Sequence, residues 1–226
     1  MSEQKVASVD RALALLEAFT EQQPALSLND LARITGLYKS TVLRLCGSLQ
    51  SRGYLRRTED KNFHLGPSLW RLGSLYSRSF KLSDHVYPVL NRLVATTNEC
   101  ASFYVMDKDC RICLYRRASE ARVRHHMNEG ERMPLERGAS GRVLLAFSGA
   151  EGEFYENIRR KGWYISMGEF DRDIAAVAAP VLGRDGDLVG SLAVSGLLSR
   201  FTKPVAARYA KLVVQEARAL SRALGG

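Results

Sequence analysis

Residues 27–55, SLNDLARITGLYKSTVLRLCGSLQSRGYL, carry apolar side chains at helical spacing with one interruption at Gly36. Ser27 supplies the hydroxyl of an N-cap, and Asp30 follows in the first turn, where a negative charge favours the positive end of a helix. Gly36 ends this first helix, because glycine readily adopts the left-handed conformation found at helix C-termini. The apolar side of the helix consists of Leu28, Leu31, Ala32 and Ile34.

The second helix of this stretch is predicted from about Lys39 to Arg52, with Gly53 ending it. Its inward side follows i, i+3, i+4 and i+7 spacing and consists of Val42, Leu45, Cys46 and Leu49. The outward side carries side chains that are short and polar or that are basic: Lys39, Ser40, Thr41, Arg44, Ser48 and Ser51. Short side chains of this kind let a helix backbone approach the DNA major groove closely.

The flanking residues complete a winged helix-turn-helix. An amphipathic helix is predicted at Val9–Phe19, and two strands, Tyr54–Thr58 and Asn62–Leu65, form a hairpin after Gly53. The apolar stripe of the first helix is expected to contain Val9, Ala12, Leu13, Leu16 and Phe19. We expect Lys39, Ser40, Thr41 and Arg44 to touch DNA, with backbone contacts from Arg56 and Lys61 on the hairpin.

Charge supports this hypothesis without proving it. Six basic residues between Ser27 and Arg57 face a single acid, Asp30, which suits a polyanionic partner. Two alternatives stay open at this point: a solvated basic surface, and a structural three-helix unit with an incidental polar side.

The 226 residues, with a net charge of +9, allow one large or two modest domains, and 46% hydrophobic content is enough to form real cores. No membrane-spanning run or signal peptide is recognisable, which makes a cytoplasmic protein the expectation. Cys110 and Cys113 form a single CxxC in a predicted strand, where residues three apart point to opposite faces. We therefore expect reduced thiols, no metal site and no cofactor.

The remainder of the chain predicts an α+β domain with an antiparallel sheet. A helix with the stripe Leu69, Leu72, Leu75 and Tyr76 follows the hairpin; this stripe suits either a dimer contact or packing within the chain. A further helix begins near Lys81. The predicted strands are Ala101–Met106, Arg111–Arg117, Arg122–Met127, Ile174–Leu182 and Asp187–Ser195. A loop is expected at 130–141, and helices are expected at Gly141–Ser148, Glu151–Lys161 and Pro204–Ala223.

In this order, the segments resemble the IclR family of bacterial transcriptional regulators over nearly the whole chain. The matching stretches are SVDRALALLEAF, LARITGLYKSTVLRLCGSL, FHLGPSLWRLG, GERMPLERGASGRVLLAF and GEFDRDIAAVAAPVLGRDGDLVGSLAVSG. The resemblance implies a DNA-binding domain at 1–66, a linker helix at 67–80 and a GAF-like effector-binding domain at 81–226. It also implies dimers or tetramers on a palindromic double-stranded DNA operator.

The resemblance further implies a pocket for a small organic acid. The contacts carried over to this chain are His125, Met133, Ala139, Ser140, Gly141, Ser166, Ala176, Ala193 and Ser195. Free backbone N–H groups where residues 139–141 open a helix suit a carboxylate, and His125 could become cationic beside it. Ala176 and Ala193 stand where relatives that bind very small keto acids carry polar residues, which favours a larger or more apolar acid, such as an aromatic one.

Two other classes of function compete with an effector-controlled regulator. Gly138-Ala139-Ser140-Gly141 weakly resembles the nucleophile elbow of a hydrolase, but Arg142 replaces the last glycine of G-x-S-x-G. A DNA-binding scaffold without a ligand is the other alternative, although it has no need of a shaped C-terminal domain.

Overall fold

The computed structural model describes residues 6–79, 82–122 and 124–225. The chain divides into two compact units, Met1–Phe80 and Lys81–Gly226, and each is described by itself. No described helix is both long and apolar enough to cross a membrane.

The first unit is a winged helix-turn-helix, as predicted. Its elements are α1 (Ala7–Glu17), α2 (Leu28–Thr35), α3 (Lys39–Ser51), the antiparallel hairpin β1 (Leu55–Arg57) and β2 (Phe63–Leu65), and α4 (Pro67–Ser79). Ser27 and Asp30 form a reciprocal capping box at the start of α2, and Gly36 ends this helix with a φ of 69°. The backbones of Leu26 and Phe63 pair through two hydrogen bonds of 3.0 and 2.8 Å, which attach the wing to the helices.

The buried side of α1 differs from the predicted stripe. Leu15 and Ala18 are buried and Leu16 and Phe19 are partly buried, whereas Val9 and Leu13 are 54% and 51% exposed. The predicted stripe was therefore wrong for these two residues. The helical pattern itself is compatible with burial of either face, because apolar residues occupy most of this helix.

The stripe of α4 is only partly covered within this unit. Leu69 is half-buried, while Leu72 and Trp70 are 40% and 78% exposed. The side chain of Tyr76 and the end of the expected linker at Phe80 lie outside the described residues.

The second unit is an α+β domain with a six-stranded antiparallel sheet, which confirms the predicted fold class. The strand order is β5 (Arg132–Pro134), β4 (Cys110–Arg117), β3 (Cys100–Asp107), β8 (Leu188–Leu197), β7 (Ile174–Leu182) and β6 (Tyr164–Met167). The helices are α5 (Leu82–Thr97), α6 (Ala139–Phe147), α7 (Glu153–Lys161) and α8 (Lys203–Ala223), with a short 3₁₀ turn at Leu198–Arg200.

Two edge strands depart from the predictions. The segment Arg122–Met127 is not a strand in its described residues, and a loop was expected where β5 forms. The carbonyl oxygen of His125 accepts hydrogen bonds from two side chains, the Arg116 guanidinium and the Cys100 thiol, rather than from the backbone of a neighbouring strand. At the opposite edge, β6 was not predicted; it pairs with β7 through residues such as Ser166 and Ala176.

The sheet is covered on both faces. On one face, Phe103, Val177 and Leu192 pack with α5 and α8 in the larger core. On the other face, Tyr104, Ala178 and Ala193 pack with α6 in the smaller core. The strand period of two assigns neighbouring residues to opposite faces, and the face toward α6 receives the smaller side chains.

Candidate functional sites

The outward side of α3 presents the predicted DNA-contacting residues together. Lys39, Ser40 and Arg44 are exposed, and Thr41 is half-buried. Among the described residues, the side chains of Lys39 and Arg44 form no ion pair. Val42 and Cys46 are fully buried beneath them, which fixes the orientation of this side of the helix.

The wing carries the other two predicted contacts. Arg56 is exposed on β1, opposite His64, and Lys61 is exposed in the hairpin turn with a φ of 65°. The neighbouring Arg57 is held differently: its Nε donates to the Lys61 carbonyl at 3.0 Å and its guanidinium lies over the Phe63 ring. Arg57 therefore supports the turn that presents Lys61.

Two exposed residues at or beside α3 were not predicted from the sequence as possible DNA contacts. Tyr38, the residue before α3, is 85% exposed, and Leu43 is 47% exposed. An apolar side chain on a recognition helix suits the thymine methyl group in the major groove. The signal was present, because Leu43 lies outside the inward spacing of residues 42, 45, 46 and 49.

In the second unit, the predicted effector contacts gather on the sheet face that α6 covers. Strand register aligns Ser166, Ala176, Ser195 and Cys100 in one row across four strands. The next row contains Ala178, Ala193, Ser102 and Arg116. Met133 and Ala139 pack in the same core as Ala193, so strands, loop and helix converge here.

A polar network joins these rows to the 121–128 segment. His125 Nδ1 lies 3.2 Å from Ser195 Oγ. The buried guanidinium of Arg116 donates to Ser102 Oγ at 2.8 Å and to the His125 carbonyl at 2.5 Å. The Arg116 guanidinium forms no ion pair among the described residues, although the Glu129 carboxylate accepts a hydrogen bond from the Arg116 backbone N–H at 2.7 Å.

A second buried arginine holds the loop before α6. Arg111 donates to the carbonyl oxygens of Pro134 and Arg137, and its guanidinium lies near the rings of Tyr104 and Phe170. Its Nε is buried without a hydrogen-bond partner among the described residues. Burial lowers the pKa of this guanidinium from its ordinary value, but arginine remains charged in proteins.

An irregularity in β4 brings both arginines to one face. Residues five apart in a regular strand point to opposite faces, as Arg111 and Arg116 would. The pairing with β3 shifts between Phe103 and Tyr104, which leaves Leu114 as an extra residue. This bulge returns Arg116 to the face of Arg111 and Cys113. Sequence reasoning missed both arginines because the bulge has no local sequence signal.

The start of α6 closes this site. Gly138 is the N-cap residue with a φ of 79°, and no side chain caps the helix. Gly141 fits closely, because a Cβ there would lie 2.2 Å from the Leu135 carbonyl and 2.6 Å from the Arg111 guanidinium. Ser140 is 5% exposed. Uncapped N–H groups and Arg111 together make this end of the site electropositive.

His125 does not supply that charge. Burial, with the nearby positive charge of Arg116, lowers its pKa to about 4, so the imidazole is neutral at pH 7. The expectation that His125 acts as a cation is therefore replaced by a role for Arg116 as the charged group. A neutral imidazole still donates and accepts hydrogen bonds, and it already faces Ser195.

Family comparisons agree with both halves of this description. The model of the IclR helix-turn-helix domain matches residues 8–59. The model of the bacterial transcriptional regulator IclR C-terminal domain matches residues 75–155 and 152–222. This chain belongs to the IclR family. It is an IclR-type transcriptional regulator with a DNA-binding domain and an effector domain.

Individual IclR relatives match along nearly their whole length. The chain is 26% identical to the HTH-type transcriptional regulator XynR of Escherichia coli, covering 97% of this chain and 98% of XynR. An IclR transcriptional regulator of Silicibacter sp. TM1040 has a similar structure, with a TM-score of 0.86, 26% identity and coverage of 97% and 96%. An IclR homologue of Microbacterium hydrocarbonoxydans, solved in complex with 4-hydroxybenzoate, shares the fold, with a TM-score of 0.80, 21% identity and coverage of 96% and 99%.

The family assignment argues against the hydrolase alternative, and the site geometry gives that alternative no support. His125 pairs with Ser195, and among the described residues Ser140 has no hydrogen bond to a histidine. The described residues contain no group of three or more His, Cys, Asp or Glu side chains placed to hold a metal ion.

The depressed pKa of His125 predicts a pH-dependent stability. The unfolded chain binds a proton on this residue below about 6.5, whereas the folded chain binds it only near pH 4. The free energy of unfolding is therefore expected to fall as pH drops from 6.5 to 4, by at most about 3 kcal/mol from this residue. Urea unfolding of wild type and His125→Asn across this range measures the effect.

The matched control is His126→Asn, which removes an exposed imidazole beside it. A shallower pH slope in His125→Asn alone agrees with a buried neutral His125. The same slope in wild type and His125→Asn would contradict it.

Proposed function

We propose that this IclR-type regulator binds a palindromic operator as a dimer or a tetramer and is controlled by an apolar organic acid of aromatic size. The proposed division is a DNA-binding domain at 1–66, a linker helix at 67–80 and an effector domain at 81–226. The observation that carries the acid proposal is the buried Arg116 guanidinium, which lacks a carboxylate partner among the described residues on a face otherwise lined by small and apolar side chains.

The DNA contacts follow from the exposed polar side of α3. Lys39, Ser40, Thr41 and Arg44 are proposed to enter the major groove, with Arg56 and Lys61 on flanking phosphates. Arg44 is the best candidate for a base contact, because a guanidinium can bond two acceptors of guanine at once. Phosphate contacts position the protein, and base contacts give the selectivity.

The DNA proposal is tested with sheared genomic DNA of the source organism. We expect the purified protein to enrich one or a few intergenic fragments that share a palindrome. On such a fragment, Arg44→Ala is expected to weaken binding by about 1–3 kcal/mol, which corresponds to roughly a 5- to 150-fold loss, and to relax selectivity at one base pair.

The control is Arg71→Ala, which removes an exposed arginine of α4. A uniform recovery of fragments, with and without candidate acids, would favour the ligand-independent scaffold. Unchanged affinity and selectivity in Arg44→Ala would reject the assignment of this side chain.

The dimer proposal rests on an uncovered stripe of α1. Val6, Val9 and Leu13 recur at helical spacing and are 60%, 54% and 51% exposed. A second copy that covers this stripe would give a dimer with two α3 helices. Such a dimer is needed to bind two DNA half-sites about 34–36 Å apart. Two members of this stripe, Val9 and Leu13, are the residues that the sequence pattern wrongly assigned to the buried side.

Sedimentation equilibrium tests the stripe. Leu13→Glu places a charge in it and is expected to weaken self-association at least tenfold. Arg11→Glu introduces the same side chain at an exposed position of α1 outside the stripe and is expected to have little effect. Equal association of the two variants would exclude this stripe as the interface.

The acid is proposed to lie between the sheet and the start of α6. Its carboxylate would meet Arg116 and the uncapped helix end, and Ser195, Ser166 and His125 would supply hydrogen bonds. The proposed wall contains Met133, Ala139, Ala176 and Ala193, with Ser140 and Gly141 at the helix start. The three alanine side chains are small and apolar, which suits a ring, and the Microbacterium homologue binds an acid with such a ring, 4-hydroxybenzoate.

Calorimetric titration tests the class of acid. We expect 4-hydroxybenzoate or a related aromatic acid to bind more tightly than glyoxylate or pyruvate. Arg116→Gln is expected to lower the affinity by about 2 kcal/mol, or about 30-fold, because hydrogen bonds to a charged group are lost. The neutral amide of the same acid should bind wild type and Arg116→Gln with the same affinity.

Two controls separate binding from folding. Arg117→Gln removes the neighbouring exposed arginine, which contacts Tyr87 and Asn91, and should keep wild-type affinity. Arg116→Lys keeps the charge and should retain part of the affinity. Tight binding of glyoxylate or pyruvate with none of aromatic acids would reject the proposed class.

A further inference from the structure

A cavity of about 500 Å³ lies beside the end of α6, between α8, the end of β7 and α7. We call it the α8 cavity. Its floor is apolar and contains Phe147, Ala179, Pro180, Leu182, Val214 and Ala217. This volume is in the range of small-molecule sites, which commonly combine an apolar floor with a few charged groups.

Four arginines surround this floor. They are Arg159 on α7, Arg184 in the turn between β7 and β8, and Arg218 and Arg222 on α8. No carboxylate lines the cavity among the residues that the structure describes. The nearest acids of the turn, Asp185 and Asp187, are exposed and absent from the lining.

The rim is fixed by contacts outside the cavity. Arg159 donates to the carbonyl oxygens of Ala146 and Ala150 at 2.6 and 2.8 Å. Ser221 joins the helix to the sheet, accepting from the Leu182 N–H at 2.9 Å and donating to the Ala217 carbonyl. In contrast, Arg184, Arg218 and Arg222 form no side-chain hydrogen bond or ion pair within the described part of the chain. Three positive charges are thus available to a ligand in a preformed cavity.

We propose that the α8 cavity is a second ligand site, which takes an amphipathic organic anion with an apolar body and one terminal carboxylate or sulfonate. The apolar body would cover the floor, and the anionic group would meet Arg184, Arg218 and Arg222. DNA would satisfy the charges but leave the apolar floor uncovered. A second copy of this chain packed symmetrically here would bring arginines against arginines, which opposes association.

This site is separate from the proposed effector site. Ala176 and Ala178 of β7 face α6, whereas Ala179 packs on the opposite face and lines the α8 cavity. Neither Arg116 nor His125 lines it. The proposal therefore does not depend on the identity of the effector or on DNA binding.

The probe is 8-anilinonaphthalene-1-sulfonate, an amphipathic anion that fluoresces when it leaves water. We expect wild type to bind it saturably, with displacement by decanoate. The double variant Arg218→Gln/Arg222→Gln is expected to raise the dissociation constant at least tenfold, because two exposed charges are lost without disturbing the core. Val214→Phe, which fills the floor, is expected to lower the amount of probe bound.

Two controls locate the probe. Arg208→Gln removes another exposed arginine of α8, one that contacts Tyr209 and does not line the cavity, and should bind as wild type does. Arg116→Gln should also leave this binding unchanged. The proposal is overturned if wild type does not bind the probe, if Arg218→Gln/Arg222→Gln and Val214→Phe both bind it as wild type does, or if Arg116→Gln alone abolishes the fluorescence.

Discussion

The alternation of side chains along β3, β7 and β8 is the constraint on which the effector domain depends, because both faces of this sheet are covered. Bulky residues such as Phe103, Val177 and Leu192 point toward α5 and α8 and form the larger core. Alanines and serines point toward α6. A one-residue slip would exchange the two sets, so the difference in side-chain size fixes the register.

The positive charge on the α6 side of the sheet comes from two arginines of β4 rather than from the predicted histidine, His125. The bulge at Leu114 places Arg111 and Arg116 on the same face, where one holds the loop before α6 and the other faces the two rows of small residues. The neighbouring positive charge and burial keep His125 neutral. A buried guanidinium without an ion pair in the described chain is costly to maintain, and an acidic ligand would relieve that cost.

Elements with caps and periodic patterns of their own could be predicted from the sequence, whereas short edge strands could not. Ser27 and Asp30 start α2 through side-chain hydrogen bonds to each other's backbone, and Gly36 ends it in the left-handed conformation, so the helix-turn-helix was predicted almost to the residue. By contrast, neither short edge strand was predicted: β5 has three residues and pairs with the distant β4, and the four residues of β6 are too few to show a periodic pattern. Periodicity found α1 but wrongly placed Val9 and Leu13 on its buried side, because apolar residues occur on more than one face of this helix. The bulge that orients Arg116 likewise depends on pairing with β3.

Control of DNA binding by an acid is the central claim, and an effector acts only if it binds two states of a regulator unequally. The most direct measurement is the dissociation constant for a recovered operator fragment, at fixed salt, with and without a saturating aromatic acid that binds the effector domain. The account predicts a change of at least fivefold in wild type. An unchanged dissociation constant, with the acid shown to be bound, would contradict it.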